Sequence, residues 1–146
     1  MHMSYAVPEV RQRVLDILRE AVEMCDPEGV GLLFVRGMPL MLWEPAFCER
    51  FSAEYGADAK AVDEEDPRIH ALRGKIMTEL FRELRSMLDG LAKEKTGRRY
   101  TISAATFSEQ KSNERFGLDV GTWVKEELVD ELAIAYHAHH TGFVPP

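Results

Sequence analysis

The sequence has few of the features from which a function is usually inferred. It contains two cysteines, Cys25 and Cys48, among 146 residues. Because neither belongs to a Cys-x-x-Cys pair and two cysteines do not make a disulfide framework, we expect buried thiols in a reducing, cytoplasmic compartment. The apolar runs are too short to cross a membrane, and the first residues lack the basic and apolar segments of a secretion signal. We therefore expect the chain to be neither exported nor membrane-spanning.

Positive charge is also scarce. Lysine and arginine together number 18 against 25 acidic residues, which leaves a formal net charge of -7. Such a chain repels phosphate backbones and anionic lipid surfaces, so we expect neither nucleic acid nor a membrane as a partner. The densest basic cluster, within residues 93–99, lies at the end of a predicted helix, where cations complement the helix dipole.

The common catalytic and cofactor fingerprints are missing. The sequence has no Gly-x-Gly-x-x-Gly, no phosphate-binding loop, no Gly-x-Ser-x-Gly and no His-Glu-x-x-His. Their absence lowers the expectation of an enzyme, and no motif indicates a bound cofactor.

The most prominent positive feature is a long amphipathic helix over residues 66–96. Asp66 is a favourable N-cap, Pro67 a favourable first helical residue and Gly97 a favourable stop. Apolar residues recur between them at the helical interval of three or four: Ile69, Leu72, Ile76, Leu80, Leu84, Met87 and Leu91. Gly74 and Gly90 are the positions at which such a helix could break. At about 1.5 Å per residue it is longer than a compact domain of this size, so part of it is expected to need a partner surface.

Shorter amphipathic patterns predict three further helices. They are expected to begin at Pro8, Pro45 and Asp119, since proline suits a first helical position and aspartate an N-cap. The last pattern has apolar residues at helical intervals up to residue 136, and we expect Gly142 to end that helix.

Two segments have the composition of strands. Residues 30–35 are apolar on both faces and predict a buried strand. This strand either turns at Arg36-Gly37 into a second arm over residues 40–43 or continues as an extended loop. Residues 100–107 are rich in β-branched and aromatic side chains and predict another strand, on which residues 114–118 could pair back.

These patterns predict an α+β fold in which a small, mostly antiparallel sheet packs against four helices, including the long one. We expect residues 1–146 to form a single domain with flexible ends at residues 1–6 and 143–146. An edge strand of a small sheet and an overlong helix are both natural surfaces for a two-fold partner, so a homodimer is expected. Its predicted interface consists of Leu84, Met87 and Leu91.

The densest chemical cluster is formed by His137, His139 and His140. On a continuing helix, His137 and His140 would be neighbours, and Asp130 would lie two turns earlier on nearly the same line. Two imidazoles and a carboxylate suit zinc, iron or nickel. The alternative interpretation is that these histidines end the helix, where their protonated forms complement its dipole.

His70, in the first turn of the long helix, is the other candidate histidine. It could complete a metal site or ligate a haem, but its position equally suits a half-exposed residue beside the acidic linker of residues 57–66. Aromatic and methionine side chains could line an apolar pocket, although core packing accounts for most of their positions.

Three functions are compatible with these features. The first is a non-catalytic, cytoplasmic, dimeric module that regulates or scaffolds a partner protein. The second is a metal- or small-ligand-binding protein, possibly an enzyme, that uses His137, His140 and Asp130. The third is a small accessory subunit of a multi-subunit enzyme.

Overall fold

The computed structural model describes residues 4–34 and 40–135. Within these ranges it has five α-helices and three β-strands. The helices are α1 (Pro8–Cys25), α2 (Pro45–Tyr55), α3 (Pro67–Leu91), α4 (Gln110–Arg115) and α5 (Val120–Lys125). The strands are β1 (Gly29–Leu33), β2 (Thr101–Phe107) and β3 (Glu131–Ala135).

The three strands form one parallel sheet in the order β1-β2-β3. Val30 of β1 is in register with Ile102 of β2, and Ala104 of β2 is in register with Leu132 of β3. The expectation of a mostly antiparallel sheet was therefore wrong. Helices separate each strand from the next along the chain, and a helical crossover returns the chain to the same end of the sheet, which makes successive strands parallel.

Two predicted hairpin arms are absent from the described part of the chain. Residues 40–43 form no strand after β1, and residues 114–118 form the end of α4 and a turn instead of a returning strand. The alternative of a single strand followed by a loop fits β1, although the proposed turn lies within residues 35–39, outside the described residues. Prediction failed here because turn residues were taken as evidence of a local partner, whereas β1 pairs with a strand about 70 positions later.

The start of the long helix was predicted correctly, and the structure decides the question of a break at its glycines. The Asp66 side chain accepts a hydrogen bond from the backbone N–H of Arg68 at 2.8 Å, and the Arg68 side chain also donates to it. These contacts hold the pKa of Asp66 at about 2. The helix runs without interruption through Gly74 and Gly90.

The end of α3 differs slightly from an ordinary helix terminus. After Leu91, the chain makes a π-helical turn over Ala92–Thr96. Gly97 then adopts a φ of 65°, and its N–H donates to the Ala92 carbonyl at 2.7 Å. The predicted glycine stop is confirmed, because the left-handed conformation is one that glycine adopts without steric cost.

The last predicted helix is wrong beyond Lys125. Asp119 caps α5 as expected, because its side chain accepts from the Thr122 N–H at 3.1 Å. The helix then ends as Glu127 adopts a φ of 55°. The Asp130 N–H donates to the Ile102 carbonyl at 2.8 Å, which brings the chain beside β2 and starts β3.

One face of the sheet forms the core with α3. Ile102 and Ala104 are fully buried on this face, whereas Leu33 on the other face is largely exposed. The Trp123 indole N–H donates to the Thr78 hydroxyl at 3.0 Å, and this hydrogen bond attaches α5 to α3. Each connection advances one position in the same direction across the sheet.

Two expectations from composition can be compared with the described residues. Within residues 4–34 and 40–135, no helix has both the length and the apolar character that crossing a membrane requires.

Cys25 and Cys48 are free thiols, but Cys25 is exposed and Cys48 only partly covered. The expectation that both thiols are buried was therefore wrong for Cys25, which lies on the last turn of α1.

Candidate functional site

A cavity of about 780 Å³ opens at the carboxyl end of the sheet. It lies where β2 ends and α3 begins, because a crossover helix runs back against the strand direction. Ligands of open parallel sheets bind outside the carboxyl ends of the strands. The cavity therefore lies at the end of the sheet where such ligands bind, although the strand order β1-β2-β3 has no topological switch point. Its walls are formed by residues 67–74 of α3, residues 108–114 and residues 117–121.

His70 lies in the cavity wall. It lies in the first turn of α3, and its side chain is 20% exposed. Its Nε2 is buried and has no hydrogen-bond partner among the described residues. Glu65 Oε2 is 3.9 Å from this nitrogen, a distance that exceeds a hydrogen bond. Buried polar atoms are usually satisfied, and this covered nitrogen is an exception in the cavity wall.

Glycine brings the opposite wall against α3. Gly117 has a φ of 78°, and a Cβ at this position would lie 2.7 Å from the backbone carbonyl carbon of Arg73. A side chain is therefore excluded by both the backbone conformation and the space. Gly74 faces the same loop, since its own Cβ would lie 3.5 Å from the Cβ of Asp119. The chain thus folds tightly onto α3 and leaves the open volume beside it.

Asn113 fixes the wall next to β2. Its Oδ1 accepts from the Phe107 N–H at 2.9 Å, and its Nδ2 donates to the Phe107 carbonyl at 3.0 Å. These two bonds satisfy the last backbone groups of β2 and hold α4 at the strand end. Both polar atoms of the Asn113 amide are bonded to Phe107. Asn113 therefore shapes the cavity wall and has little hydrogen-bonding capacity left for a ligand.

A buried arginine stabilises the base of the same region. The Arg73 side chain is 3% exposed, and it donates to the Arg115 carbonyl at 3.1 Å and to Glu64 at 3.4 Å. Burial lowers the pKa of Arg73, while Glu64 opposes that effect. Arg115 in turn contacts Glu65 at 2.8 Å. The acidic linker before α3 is therefore tied to α4 and is not simply a solvated connection.

The cavity has an acidic balance. Its lining residues include Glu114 and Asp119 together with His70, but no lysine or arginine. Ser108 and Gln110 add a hydroxyl and an amide at the exposed end of the wall. Pro67, Ala71, Leu118 and Val120 contribute apolar surface. The arrangement combines hydrogen-bonding groups with a surface on which a carbon skeleton can pack.

Asp130, the predicted metal ligand, lies elsewhere and is engaged in other contacts. It accepts from the Ile102 N–H at 2.8 Å and from Arg99 at 3.1 Å, and it also pairs with Arg85. Burial raises the pKa of Asp130, but the Ile102 amide and the two guanidinium groups outweigh it, so the pKa is lowered overall. Its carboxylate thus joins α3 to the sheet.

The other residues of the predicted metal site are not among those that the structure describes. His137 and His140 lie outside the described residues. Asp130 precedes a strand, so the helical alignment that suggested this site is absent. Within the described ranges, no three histidine, cysteine, aspartate or glutamate side chains form a metal-binding group. The zinc, iron or nickel site stays a prediction without that geometric support.

The predicted dimer residues of α3 lie inside the single chain. Leu84, Met87 and Leu91 are all in the core, packed within the fold itself. They leave little surface for a partner, because α3 buries residues around much of its circumference and contacts α1, α2, α4 and α5. Dimerisation stays a prediction, and it requires a different surface on this chain.

Comparison with known proteins adds no name to the site. No family model matches the chain, and no curated protein matches its sequence. The function must therefore be argued from the geometry.

Sequence patterns predict only part of this cavity. His70 is a candidate, but Gly117 falls in the predicted returning strand and Asp119 is a predicted helix cap. The signal that was available is the run Phe-Gly-Leu-Asp over residues 116–119, in which a glycine is followed closely by a helix cap. That pattern indicates a tight turn between two helices, but not that the turn lies against His70.

Proposed function

We propose that the chain binds a small organic molecule bearing hydroxyl or amino groups, in the cavity at the carboxyl end of the sheet. The observation that supports this most strongly is the buried, unpartnered Nε2 of His70 in the wall of that cavity. The proposal takes the small-ligand alternative from the sequence and moves it from the C-terminal histidines to His70.

The charges of the lining residues favour this class of ligand. Glu114 and Asp119 create negative potential and accept hydrogen bonds, so they attract hydroxyl and ammonium donors and disfavour phosphates and carboxylates. His70 can accept or donate at Nε2, depending on its tautomer. A molecule with several donors on a short carbon skeleton satisfies these groups and covers the apolar wall.

The proposal concerns binding, and the described residues carry no further argument for catalysis. A histidine and two carboxylates are groups that acid–base chemistry uses, but their roles depend on the position of a reacting atom. The regulatory module and the accessory subunit stay alternatives. Association between chains concerns a different surface from that of the cavity.

The test is a binding screen against small molecules of defined class. Four sets are compared by thermal shift and isothermal calorimetry: monosaccharides and polyols, primary amines, simple carboxylates, and sugar phosphates. We expect members of the first two sets to stabilise the protein and the two anionic sets to have no effect. Losing one hydrogen bond of about 1.4 kcal/mol weakens binding about tenfold, so His70→Ala should reduce affinity by at least that factor.

Two further variants make the screen specific to the cavity. Gly121→Val places a side chain where the nearest atom to an added Cβ is Asp119 Oδ1 at 3.9 Å, so it should fill space without a clash and abolish binding. Glu49→Ala, on an exposed part of α2, should leave affinity unchanged. The proposal fails if no hydroxyl or amino compound binds, or if the His70 and Gly121 variants bind as tightly as the wild type.

A further inference from the structure

The outer edge of β3 is an unprotected strand edge in the described part of the chain. β3 pairs with β2 on one side only, and residues 131–134 are exposed. An unpaired edge presents a row of backbone N–H and carbonyl groups to which another strand can bind. The strand contains no proline and no lysine, and Glu131 is its only charged residue. The usual devices that prevent strand addition are therefore nearly absent.

The same strand carries an uncovered apolar surface. Leu132 is 40% exposed and Ile134 is 69% exposed. They are in register with Ala104 and Thr106 of β2, which are buried on the face that packs against the helices. The apolar stripe of this face therefore continues beyond the helices that cover its centre. Two large apolar side chains at a free edge indicate a surface that another chain covers.

We propose that β3 pairs antiparallel with β3 of a second copy of this chain, so that two three-stranded sheets form one six-stranded sheet around a two-fold axis. This interface goes beyond the ligand cavity and uses none of its residues. Such an interface is isologous, so the strand must be complementary to itself.

The sequence of β3 meets this requirement when the axis passes beside Ala133. Leu132 then lies opposite Ile134 of the second copy, and Ile134 opposite Leu132, so that four aliphatic side chains meet on one face. On the other face, Ala133 lies opposite its own equivalent, where small side chains allow close approach. Glu131 lies opposite Ala135, which separates the two glutamates by the length of the strand. No like charges face one another, and cross-strand aliphatic pairs stabilise a sheet.

The experiment measures mass and backbone protection on the whole chain. Native mass spectrometry and light scattering are recorded from about 1 to 200 µM, together with amide hydrogen exchange of β3. We expect a dimer whose β3 amides exchange at least about tenfold more slowly as concentration rises. Ile134→Lys places a charge at the centre of the apolar cluster and should give a monomer. Because Ile134 is mostly solvent-exposed within one chain, this variant should keep its circular dichroism spectrum.

A matched control uses another exposed isoleucine. Ile17 on α1 is 50% exposed, and Ile17→Lys should leave the dimer unchanged. A wild-type monomer at 200 µM overturns the proposal. The edge of β3 would then be a surface for a strand from a different polypeptide. A dimer that persists in Ile134→Lys with unprotected β3 amides also overturns it. Failure of this proposal is distinguishable from failure of the ligand site, because His70→Ala should not change the mass and Ile134→Lys should not change ligand affinity.

Discussion

At the residue scale, the buried arginines of α3 explain why an acidic chain keeps certain carboxylates ionised. Arg85 is almost completely covered, and it donates to the Tyr100 carbonyl at 2.8 Å and pairs with Asp130. A covered guanidinium requires a partner, because an isolated buried charge is costly. Asp130 meets this requirement while its Oδ2 accepts from the sheet, so a single carboxylate joins helix and strand. This role explains the residue better than a metal ligand does.

Asp130→Asn should therefore destabilise the fold in a pH-dependent way. Removing the carboxylate leaves Arg85 with Asp89, 3.8 Å away, in place of the countercharge that it hydrogen-bonds, and we expect a loss of about 2–4 kcal/mol in the free energy of unfolding at pH 7. The folded-state pKa of Asp130 is lowered. Its contribution is therefore complete above the unfolded value of about 3.9 and disappears as pH falls through the folded value.

Urea denaturation between pH 2.5 and 7 measures this difference. The gap between wild type and variant should be constant above about pH 5 and should close in acid. Glu131→Gln, which changes the neighbouring exposed carboxylate, should alter stability by no more than about 0.5 kcal/mol. A gap that stays the same down to pH 2.5 would show that the effect of the Asn variant is not electrostatic.

At the element scale, the way two short helices sit on α3 decides whether the cavity exists. α4 and α5 have six residues each and cannot be stable alone. They are held by Asn113 at the end of β2, by Trp123 against Thr78, and by the close approach of Gly117 to Arg73. The cavity wall is therefore a product of tertiary contacts and not of local propensity.

Gly117→Ala should open this contact. The new methyl group meets backbone atoms of Arg73 and the residue has a positive φ, so we expect a loss of about 2 kcal/mol or more. Gly90→Ala is the matched control, because an added Cβ there has nothing within 4 Å and the position is inside α3. That variant should stabilise the protein by about 0.5–1 kcal/mol.

Thermal and urea unfolding of both variants give the comparison. Opposite signs are expected from the same chemical change. Equal effects of the two variants on stability would contradict the close approach of Gly117 to α3. Gly117 differs from Gly90 in this approach and in its positive φ.

At the scale of the whole molecule, core stability and association depend on different surfaces. The predicted dimer residues of α3 lie within the core, whereas Leu132 and Ile134 lie at an edge of the sheet that no strand within residues 4–34 and 40–135 covers. A change in the core lowers the stability of each chain. A change at the edge of β3 affects only the part of the free energy of unfolding that depends on protein concentration, because that part comes from association of two chains.

Leu84→Ala should lower the free energy of unfolding by about 2–5 kcal/mol at every protein concentration, because it leaves a cavity in the core. It should keep the rise of Tm with concentration that a dimer produces, whereas Ile134→Lys should lose that rise. Scanning calorimetry at 5 and 200 µM measures both effects. A Leu84 variant that loses the concentration dependence but keeps its Tm at low concentration would instead support an interface on α3.

How much could be predicted from the sequence differs between the helices and the sheet. The starts of α1, α2 and α3 at Pro8, Pro45 and Pro67, and the stop at Gly97, were predicted correctly. The strand direction was not. The order of strand, helices and strand already favoured parallel pairing, but the turn-forming residues after β1 suggested a hairpin and outweighed it.

The C-terminal part shows the same limit. Trp123, Val124, Leu128 and Leu132 have helical spacing, yet the chain leaves the helix after Lys125. A strand beside β2 gains backbone hydrogen bonds and the contacts of Asp130, which a continued helix would not make. Local periodicity cannot include that gain, because Ile102, Arg85 and Arg99 are distant in the sequence.

By itself, the sequence determined the features that depend on neighbouring residues: where the long helix starts and stops, which of its faces is apolar, and the acidic charge of the chain. The tertiary structure alone decided the parallel direction of the sheet, the burial of Leu84 and Leu91, and the position of His70 in a cavity with Gly117 and Asp119. The physical reason is that caps and periodicity act over about one helical turn, whereas strand pairing and cavity walls join residues separated by tens of positions. Their free energies are settled only when the whole chain is packed.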